Sequence, residues 1–289
     1  MLTALFRLLS LLPLSILHAI GVALGWLVYG VDSSYRRRLK ENLQRAGYTS
    51  HLSAAIGEAG KNILELPFIW YASPRRLLEK VRLDEWEMVQ SVIDQQRGVI
   101  FLTPHLGCFE MLAQEAGTRM QLAVLYRPPR KAALKPLIEQ ARARNRLTLA
   151  PANLSGIRTL LKILKNKGNI GLLPDQVPQS GEGAWADFFG KPAYTMTLPL
   201  KMQKMTGALI VLAYAERLPF GRGYVSRFQL FEATDAITPE QQARAINAAM
   251  ENLIAHCPAQ YFWSYHRYKR PSGVQPPQAS PANDKEDKT

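Results

Sequence analysis

Residues 97–118 read RGVIFLTPHLGCFEMLAQEAGT, and the fold is decided in this stretch. Its apolar run, Val99–Leu102, contains β-branched side chains and predicts a buried strand. Pro104 ends the strand, because proline has no N–H to donate within a sheet. Apolar residues then recur at helical spacing between Gly107 and Gly117, which predicts a helix. A strand followed so closely by a helix is typical of a parallel α/β sheet.

The turn between the predicted strand and helix carries His105 and Glu110. On one continuous helix, residues at this spacing lie about 140° apart around the axis and cannot face each other. If His105 ends the strand and Glu110 lies in the first helical turn, both side chains can point into the crevice at the carboxyl end of the strand. A carboxylate that accepts from one imidazole nitrogen leaves the other nitrogen free as a general base. The alternative is that Glu110 only stabilises the helix N-terminus and His105 is an ordinary loop residue.

The alternation of strand and helix patterns continues to residue 256 and predicts an α/β fold, a mainly parallel sheet flanked by helices. The predicted strands are Val99–Leu102, Leu122–Tyr126, Leu147–Ala150, Ile170–Leu173 and Leu209–Tyr214, and Tyr224–Leu230 alternates as an edge strand does. The predicted helices cover 34–46, 53–70, 107–119, 131–145, 155–167, 197–206 and 239–256. Four regions are expected: an N-terminal membrane anchor at 1–31, a helical lead-in at 32–97, an α/β core at 98–271 and a disordered tail at 272–289.

The N-terminal segment Leu8–Val31 contains no Lys, Arg, Asp or Glu and is long enough for a transmembrane helix. Basic residues lie between positions 36 and 40, so the positive-inside rule places the bulk of the protein in the cytoplasm. A cleaved signal peptide is disfavoured, because no Ala-x-Ala-like cleavage site is evident. Pro13 and several small residues also allow a helix that lies in the membrane interface, and a buried core helix is a third alternative. We therefore expect membrane contact, with a full crossing left open.

The composition favours anionic partners. The chain has 36 Lys and Arg against 23 Asp and Glu, a formal net charge of +13. Nucleic acid, anionic lipid and an acidic carrier protein all suit such a charge, but no zinc-ligand spacing or RNA-binding aromatic block in the sequence supports nucleic acid. Two cysteines, Cys108 and Cys257, imply no disulfide framework and suit a reducing compartment. The sequence holds no strong metal-binding motif, so we expect neither a metal nor a bound cofactor.

Three further blocks carry candidate functional residues. Arg127, in the block Tyr-Arg-Pro, ends a predicted strand and could bind phosphate or a developing oxyanion, or be a surface arginine fixed by the prolines that follow. Asp175, in the block Leu-Pro-Asp-Gln, ends another predicted strand and could orient a base, line a sugar site or form an Asx turn. The block Phe188–Ala193 lies in a predicted loop from about 176 to 196, and loops of that length tend to be functional or mobile.

Together with His105 and Glu110, these blocks resemble the glycerolipid-type acyltransferases, whose motif is His-x4-Asp/Glu. The sequence is most similar to the late lipid A biosynthesis acyltransferases of the lauroyl or myristoyl type, in order from the N-terminal apolar segment to about Arg270. The resemblance implies that a fatty acyl chain passes from a thioester donor, acyl carrier protein or CoA, to a hydroxyl of a lipid A precursor. It also implies a glycerolipid-acyltransferase-like fold at the cytoplasmic face of the bacterial inner membrane, in contact with anionic lipids.

Attack by an alcohol needs a base, because a free hydroxyl is too weakly acidic to ionise at neutral pH. We expect His105 to be that base and Glu110 to orient it, while Arg127 or N–H groups near Gly107 stabilise the oxyanion. The resemblance places the Phe-Gly-x-Pro-Ala stretch beside the acyl site. The expected substrate-binding residues are Asp175, Phe189, Gly190 and Lys191. Two alternatives stay open: the same chemistry on another glycolipid or a lysophospholipid, and a non-catalytic, membrane-docked lipid-binding protein.

Overall fold

A seven-stranded sheet forms the centre of the computed structural model, which describes residues 2–129, 134–232 and 238–277. In these ranges the strands are β1 (Val81–Leu83), β2 (Val99–Leu102), β3 (Leu122–Tyr126), β4 (Leu147–Pro151), β5 (Asn169–Leu172), β6 (Gly183–Phe188), β7 (Lys191–Met196), β8 (Leu209–Arg217) and β9 (Tyr224–Leu230). The helices are α1 (Leu2–Leu9), α2 (Leu14–Val31), α3 (Ser33–Arg45), α4 (Leu52–Leu64), α5 (Leu66–Tyr71), α6 (Pro74–Leu78), α7 (Trp86–Asp94), α8 (Phe109–Arg119), α9 (Lys135–Arg142), α10 (Leu154–Lys165), α11 (Leu198–Thr206) and α12 (Pro239–His256). Part of the helix predicted over 131–145 and most of the predicted tail lie outside the described residues.

The strand order is β1-β9-β8-β2-β5-β3-β4, and every neighbouring pair is parallel except β8 with β9. The predicted fold class, a mainly parallel sheet flanked by helices, is therefore confirmed. β2 lies at the centre of the order with β5 and β8 as neighbours. The turn that follows β2 thus lies where the carboxyl ends of three strands meet, the usual ligand-binding edge of such sheets.

Helices cover both faces of the sheet, which explains why β2 reads as a continuous apolar run. Ile100 and Leu102 point into a core shared with α10, α11 and α12. Val99 and Phe101 point into a second core, shared with α7 and α8. Because side chains of a strand alternate between the two faces, this one strand anchors both layers.

The prediction of β9 as an edge strand is wrong. The three-residue strand β1 pairs outside it in parallel, with Val81 opposite Tyr224. A strand this short is too brief to show a pattern in the sequence, so its neighbour looks like an edge. β1 also shows that the sheet draws one strand from before residue 98; the four region boundaries stay predictions.

Two predicted connections also differ in the structure. The helix predicted over 53–70 is broken between α4 and α5, because Pro67 has no N–H to continue the ladder of hydrogen bonds. The loop predicted over 176–196 instead contains the antiparallel hairpin β6–β7. Its turn, Phe189–Gly190, has φ of +47° and +69°, the left-handed pair that tight hairpins need. Phenylalanine rarely adopts this conformation, so a Phe-Gly pair does not signal a hairpin.

α2 packs along α4 through glycine residues. A Cβ at Gly25 would lie 2.1 Å from the carbonyl oxygen of Ile56, and a Cβ at Gly60 would lie 1.8 Å from that of Gly21, so the two backbones are in contact. The opposite face of α2 is apolar and exposed, with Ile16, Ile20, Trp26 and Leu27. In the described ranges α2 is the one helix long and apolar enough to cross a membrane, with a mean hydropathy of 1.8.

Arg217, at the end of β8, forms a buried ion pair with Glu65 between α4 and α5. Its Nε donates to Glu65 Oε2 over 2.7 Å, and its Nη2 donates to the Gly107 carbonyl over 3.2 Å. The Tyr224 hydroxyl donates to the same carboxylate over 3.0 Å. Burial alone would raise the pKa of Glu65, but the charge and hydrogen bonds of Arg217, with a smaller effect of His18, lower it to about 2. This cluster connects the N-terminal helices, the sheet and the turn after β2.

We expect the Glu65 carboxylate to make the fold sensitive to acid. A carboxyl whose pKa is lower in the folded state stabilises the fold above its unfolded pKa, and this contribution is lost as the pH falls from about 4.5 to about 2. Glu65→Gln should therefore be less stable at neutral pH but lose less stability across that window. Thermal unfolding followed by circular dichroism measures the loss, with Glu79→Gln at an exposed position as the control. Equal losses in Glu65→Gln and the parent protein would contradict the assignment.

Candidate active site

The turn between β2 and α8 is held against β8, and this fixes His105 at the carboxyl edge of the sheet. Gly107 has φ of +56°, and a Cβ there would lie 1.9 Å from the Ala215 carbonyl oxygen, so the position requires glycine. The Gly107 N–H donates to the Gln260 carbonyl over 3.1 Å, and the Cys108 N–H donates to the Ala215 carbonyl over 2.8 Å. These contacts leave the turn little conformational freedom.

His105 is paired with Asp175, which follows the neighbouring strand β5. Nδ1 of the imidazole lies 2.8 Å from Asp175 Oδ1, and the backbone N–H of His105 donates to Oδ2 over 2.8 Å. The side chain of Asp175 is only 3% exposed. Burial alone would raise the pKa of this carboxyl, but the charge of the imidazole and the hydrogen bonds from His105 lower it below its usual value. An ionised Asp175 requires a proton on Nδ1, which leaves the lone pair of Nε2 free.

The free nitrogen of His105 contacts Gln176. The side-chain nitrogen of Gln176 lies 3.1 Å from His105 Nε2, and because an amide nitrogen can only donate, this contact agrees with an unprotonated Nε2. The Phe109 ring packs edge-on against the imidazole, with ring centroids 4.8 Å apart. The His105 side chain keeps 15% of its surface exposed. The imidazole is thus oriented, in the tautomer of a general base, where a substrate can approach it.

Glu110 lies in the first turn of α8 and binds other partners. Its Oε2 accepts from the Trp70 indole N–H and from Arg142 Nε, each over 3.2 Å, and its Oε1 accepts from the same guanidinium. Within the described ranges no hydrogen bond joins Glu110 to His105, although both side chains line one cavity. The structure therefore brings the two motif residues to the same site but pairs the imidazole with Asp175. Orientation of His105 by Glu110 stays a prediction.

A cavity of about 450 Å³ extends from His105 into the layer between the sheet and α8. This volume falls in the range of small-molecule sites, roughly 300–1,000 Å³. Polar and charged side chains that are exposed or partly exposed line one part of it, among them Arg127, Arg142, Gln176 and Lys201, and the buried Glu110 carboxylate also lines it. Core side chains line the inner part, among them Phe101, Leu112, Ala116, Met120, Leu147 and Phe228. The distribution fits an apolar group that carries a reactive polar end.

Of the remaining predicted site residues, one lines the cavity and the others do not. Arg127 is exposed and lines the cavity directly after β3. The Gly107 N–H already donates to Gln260, so it is engaged away from the cavity. Three residues lie at the tip of the β6–β7 hairpin, two in its turn and one at the start of β7, and are not among the described residues that line the cavity: Phe189, Gly190 and Lys191. Their assignment to a substrate site stays a prediction.

Sequence reasoning misses three contacts of the motif residues. Gln176 follows Asp175 in the same block, and it contacts His105. This contact could have been predicted from the sequence if the strands that end before His105 and Asp175 had been recognised as neighbours. Arg142 and Trp70 lie 32 and 40 positions from Glu110 and belong to no motif. Only the folded arrangement of α5, α8 and α9 brings them together.

Cys108 lies between the two motif residues, and its chemistry bears on the mechanism. The side chain is buried, and burial, followed by the nearby Glu65 carboxylate, raises the pKa of the thiol well above its ordinary value. The thiolate is the reactive form of cysteine, so this thiol is a poor nucleophile. It packs in a core with buried side chains of α2, α5 and α8, where it takes the place of a small apolar side chain.

Known proteins are similar to this chain over most of its length. The sequence pattern of the bacterial lipid A biosynthesis acyltransferases matches residues 1–270. The lipid A biosynthesis lauroyltransferase of Escherichia coli (strain K12) is 26% identical over 224 residues, 74% of this chain and 71% of the relative. The palmitoleoyltransferase of the same organism is 24% identical over 217 residues, 74% of this chain and 70% of the relative. A lipid A biosynthesis acyltransferase of Haemophilus influenzae is 24% identical over 278 residues, 92% of this chain and 88% of the relative.

The family pattern spans almost the whole chain, including β2, the turn with His105 and Glu110, and the strand end with Asp175. The residues that surround the cavity therefore all fall within the matched region. A match over residues 1–270 of 289 shows that this chain belongs to the bacterial lipid A biosynthesis acyltransferase family and is an acyltransferase.

Proposed function

We propose that this protein transfers a fatty acyl group from a thioester donor, acyl carrier protein or acyl-CoA, to a hydroxyl of a lipid A precursor. One observation carries the proposal: His105, held by Asp175 in the tautomer of a base, stands at an apolar cavity of about 450 Å³. The cavity offers room for an acyl chain, and the imidazole offers the base. The family supports lipid A as the acceptor.

His105 acts as the general base of the transfer. Its Nε2 takes the proton of the acceptor hydroxyl while the hydroxyl oxygen attacks the thioester carbonyl carbon. The imidazolium that forms is stabilised by Asp175, whose Oδ1 lies 2.8 Å from Nδ1. When the tetrahedral intermediate collapses, the C–S bond breaks and the imidazolium gives its proton to the leaving thiolate. The acyl group passes directly to the acceptor, because Cys108 is a buried, protonated thiol.

Three side chains are suited to stabilise the oxyanion of the intermediate: Gln176, Arg127 and Arg142. The Gln176 amide lies 3.1 Å from Nε2, where the acceptor hydroxyl must approach, so it moves aside on binding and stays within reach as a donor. The guanidinium groups of Arg127 and Arg142 line the same cavity. Both can also bind phosphate groups of the donor or of the acceptor. Gly107 is the weaker candidate, since its N–H is engaged by Gln260.

Glu110 acts through Arg142 in this proposal. The carboxylate holds the guanidinium over the Tyr126 ring, 5.6 Å from the ring centroid, at the polar side of the cavity. Positive charge fixed there is placed to meet the oxyanion or a phosphate. The role expected from the sequence, orientation of His105, requires Glu110 to exchange partners when substrate binds. The two roles make different predictions for variants of Arg142.

We place the enzyme at the cytoplasmic face of the bacterial inner membrane. The exposed apolar face of α2 is suited to lipid, and the basic residues that follow it are suited to anionic head groups. The glycine contacts that hold α2 against α4 favour a helix that lies on the protein body over an isolated span.

Two experiments test the proposed function. The purified protein should form an ester from a defined acyl thioester and a lipid A precursor, and lipid A from a deletion strain should lack one acyl chain. Thioester turnover without an ester product would contradict the assignment of a lipid A precursor as the acceptor.

His105→Ala and Asp175→Asn should each lower kcat by about 10²–10⁴, the usual contribution of general acid–base catalysis. The first removes the base, and the second leaves an amide that cannot stabilise the imidazolium. Asp187→Asn, at an exposed position of β6, is the matched control and should keep full activity. Circular dichroism checks that all three variants fold. Full activity of His105→Ala would remove the imidazole from the mechanism.

Glu110→Gln and Arg142→Ala should be strongly non-additive. If Glu110 acts through Arg142, each single variant loses about 10²–10³ in kcat, as for one oxyanion donor, and the double variant loses hardly more. If Glu110 instead orients His105, the two losses multiply and the pH profile of Glu110→Gln shifts. Single-turnover rates of the four proteins, measured over a range of pH, separate these outcomes.

Ala116→Leu should shorten the preferred acyl chain. Ala116 lines the apolar part of the cavity on α8, so a larger side chain there occupies space that the distal end of an acyl group needs. The ratio of kcat/KM for a shorter over a longer acyl thioester should rise by about 10-fold or more. Ala54→Leu, at an exposed position of α4, should leave the ratio unchanged. An unchanged ratio in Ala116→Leu would place the acyl chain elsewhere.

A further inference from the structure

Phe220 has the highest exposure among the large apolar side chains of the described residues, with 88% of its surface accessible. It lies in the short connection between the antiparallel strands β8 and β9. A single exposed apolar residue needs no explanation by itself. This one calls for an explanation because its turn is built to hold the side chain outward.

The backbone of the turn is fixed by close contacts on both sides. Phe220 has φ of +59°, the left-handed region that bulky side chains rarely adopt. A Cβ at Gly221 would lie 2.3 Å from the backbone nitrogen of Ser15 in α2. A Cβ at Gly223 would lie 2.2 Å from the carbonyl oxygen of Lys80. The outward direction of Phe220 is therefore set by the packing of the turn against its neighbours.

Phe220 extends the apolar surface of the N-terminal helices, because its turn contacts the first turn of α2. Apolar side chains of that surface, each at least 44% exposed, are Leu5, Leu8, Leu11, Ile16 and Ile20. Two exposed cations accompany them, Arg7 in α1 and Arg222 in the turn itself. Exposed apolar groups accompanied by cations match a bilayer surface with anionic head groups.

The turn and the candidate active site lie at the same edge of the sheet. β8 runs parallel to β2, with Leu212 opposite Leu102, and continues to Arg217. Gly107, in the catalytic turn, pairs with Ala215 near the end of β8. The connection that follows β8 therefore projects beyond the edge at which His105 stands.

We propose that Phe220 inserts into the lipid interface as a membrane contact in addition to the N-terminal helices, and that it holds the edge carrying His105 against the bilayer. The inference rests on the proposed function only in that the acceptor is a membrane lipid. Such an acceptor can then present its hydroxyl to His105 while its acyl chains stay in the bilayer. A bilayer is favoured over a protein partner because the surface is continuous with α2, a helix of membrane-spanning length and composition.

Insertion is tested first without an activity measurement. Cys108 and Cys257 are buried, so Phe220→Cys in the full chain can be labelled selectively with bimane. Vesicles of phosphatidylethanolamine and phosphatidylglycerol should shift the emission to the blue, and spin-labelled lipid should quench it. Met205→Cys, 61% exposed near the end of α11 at the opposite edge, is the matched control and should show neither effect. Equal responses at the two positions, or no response at Phe220→Cys, would overturn the proposal.

Kinetics give the second test. Phe220→Asn suits the left-handed backbone and should fold. It should lower kcat/KM for an acceptor presented in these vesicles by about 10-fold or more, the factor expected from loss of one buried phenylalanine, and leave turnover in detergent unchanged. Phe220→Trp, which keeps a large aromatic side chain, should have the same rate on vesicles as the parent protein. Equal losses of activity in detergent and on vesicles would show that Phe220 is a structural residue and would overturn the proposal. A parent protein that is inactive in both media would overturn the proposed function. In that case the fluorescence result alone would decide whether Phe220 inserts.

Discussion

The buried ion pair between Arg217 and Glu65 joins the parts of the protein that the candidate site depends on. Glu65 lies between α4 and α5, and His18 Nε2 of α2 lies 3.3 Å from its Oε2, although without hydrogen-bond geometry. Arg217 ends β8 and donates to the Gly107 carbonyl in the turn that carries His105. Loss of one partner would leave an uncompensated buried charge, which typically costs about 3–5 kcal/mol. The pair thus acts mainly as a geometric constraint, because the N-terminal helices, the sheet and the turn that carries His105 cannot shift independently.

The elements that local physics determines are predictable from the sequence. α12 begins at Pro239 after a capping box between Thr238 and Gln241, so its bounds follow from signals close in the chain. The apolar run of β2 and the proline after it are signals of the same kind. Strand order depends instead on contacts between distant segments, and the sequence does not show that β1 covers the edge of β9. The hairpin turn at Phe189–Gly190 is hidden for a different reason, since its backbone conformation is unusual for phenylalanine.

The partner of His105 is a consequence of strand order. The sequence places His105 and Asp175 each at a strand end, 70 positions apart, but only the adjacency of β2 and β5 brings them within 2.8 Å. Glu110 is far nearer in the chain, yet α8 directs its carboxylate to Trp70 and Arg142. The cavity is also invisible in the sequence, because small side chains such as Ala113 and Ala213 read as ordinary core residues. Protein interiors are otherwise closely packed, so a space of about 450 Å³ beside a base is the feature that favours catalysis over a structural role.

The motif carboxylate also ends a short series of contacts that begins at the exposed N-terminal helix. Phe6 of α1 stacks on Trp70, with ring centroids 5.7 Å apart, and the Trp70 indole donates to Glu110. The direction of the Glu110 carboxylate therefore depends on the packing of α1 and α5 as well as on α8. Arg142 of α9 holds the same carboxylate from the other side. Because four helices fix this one side chain, its contacts cannot be read from the short spacing between His105 and Glu110 in the sequence.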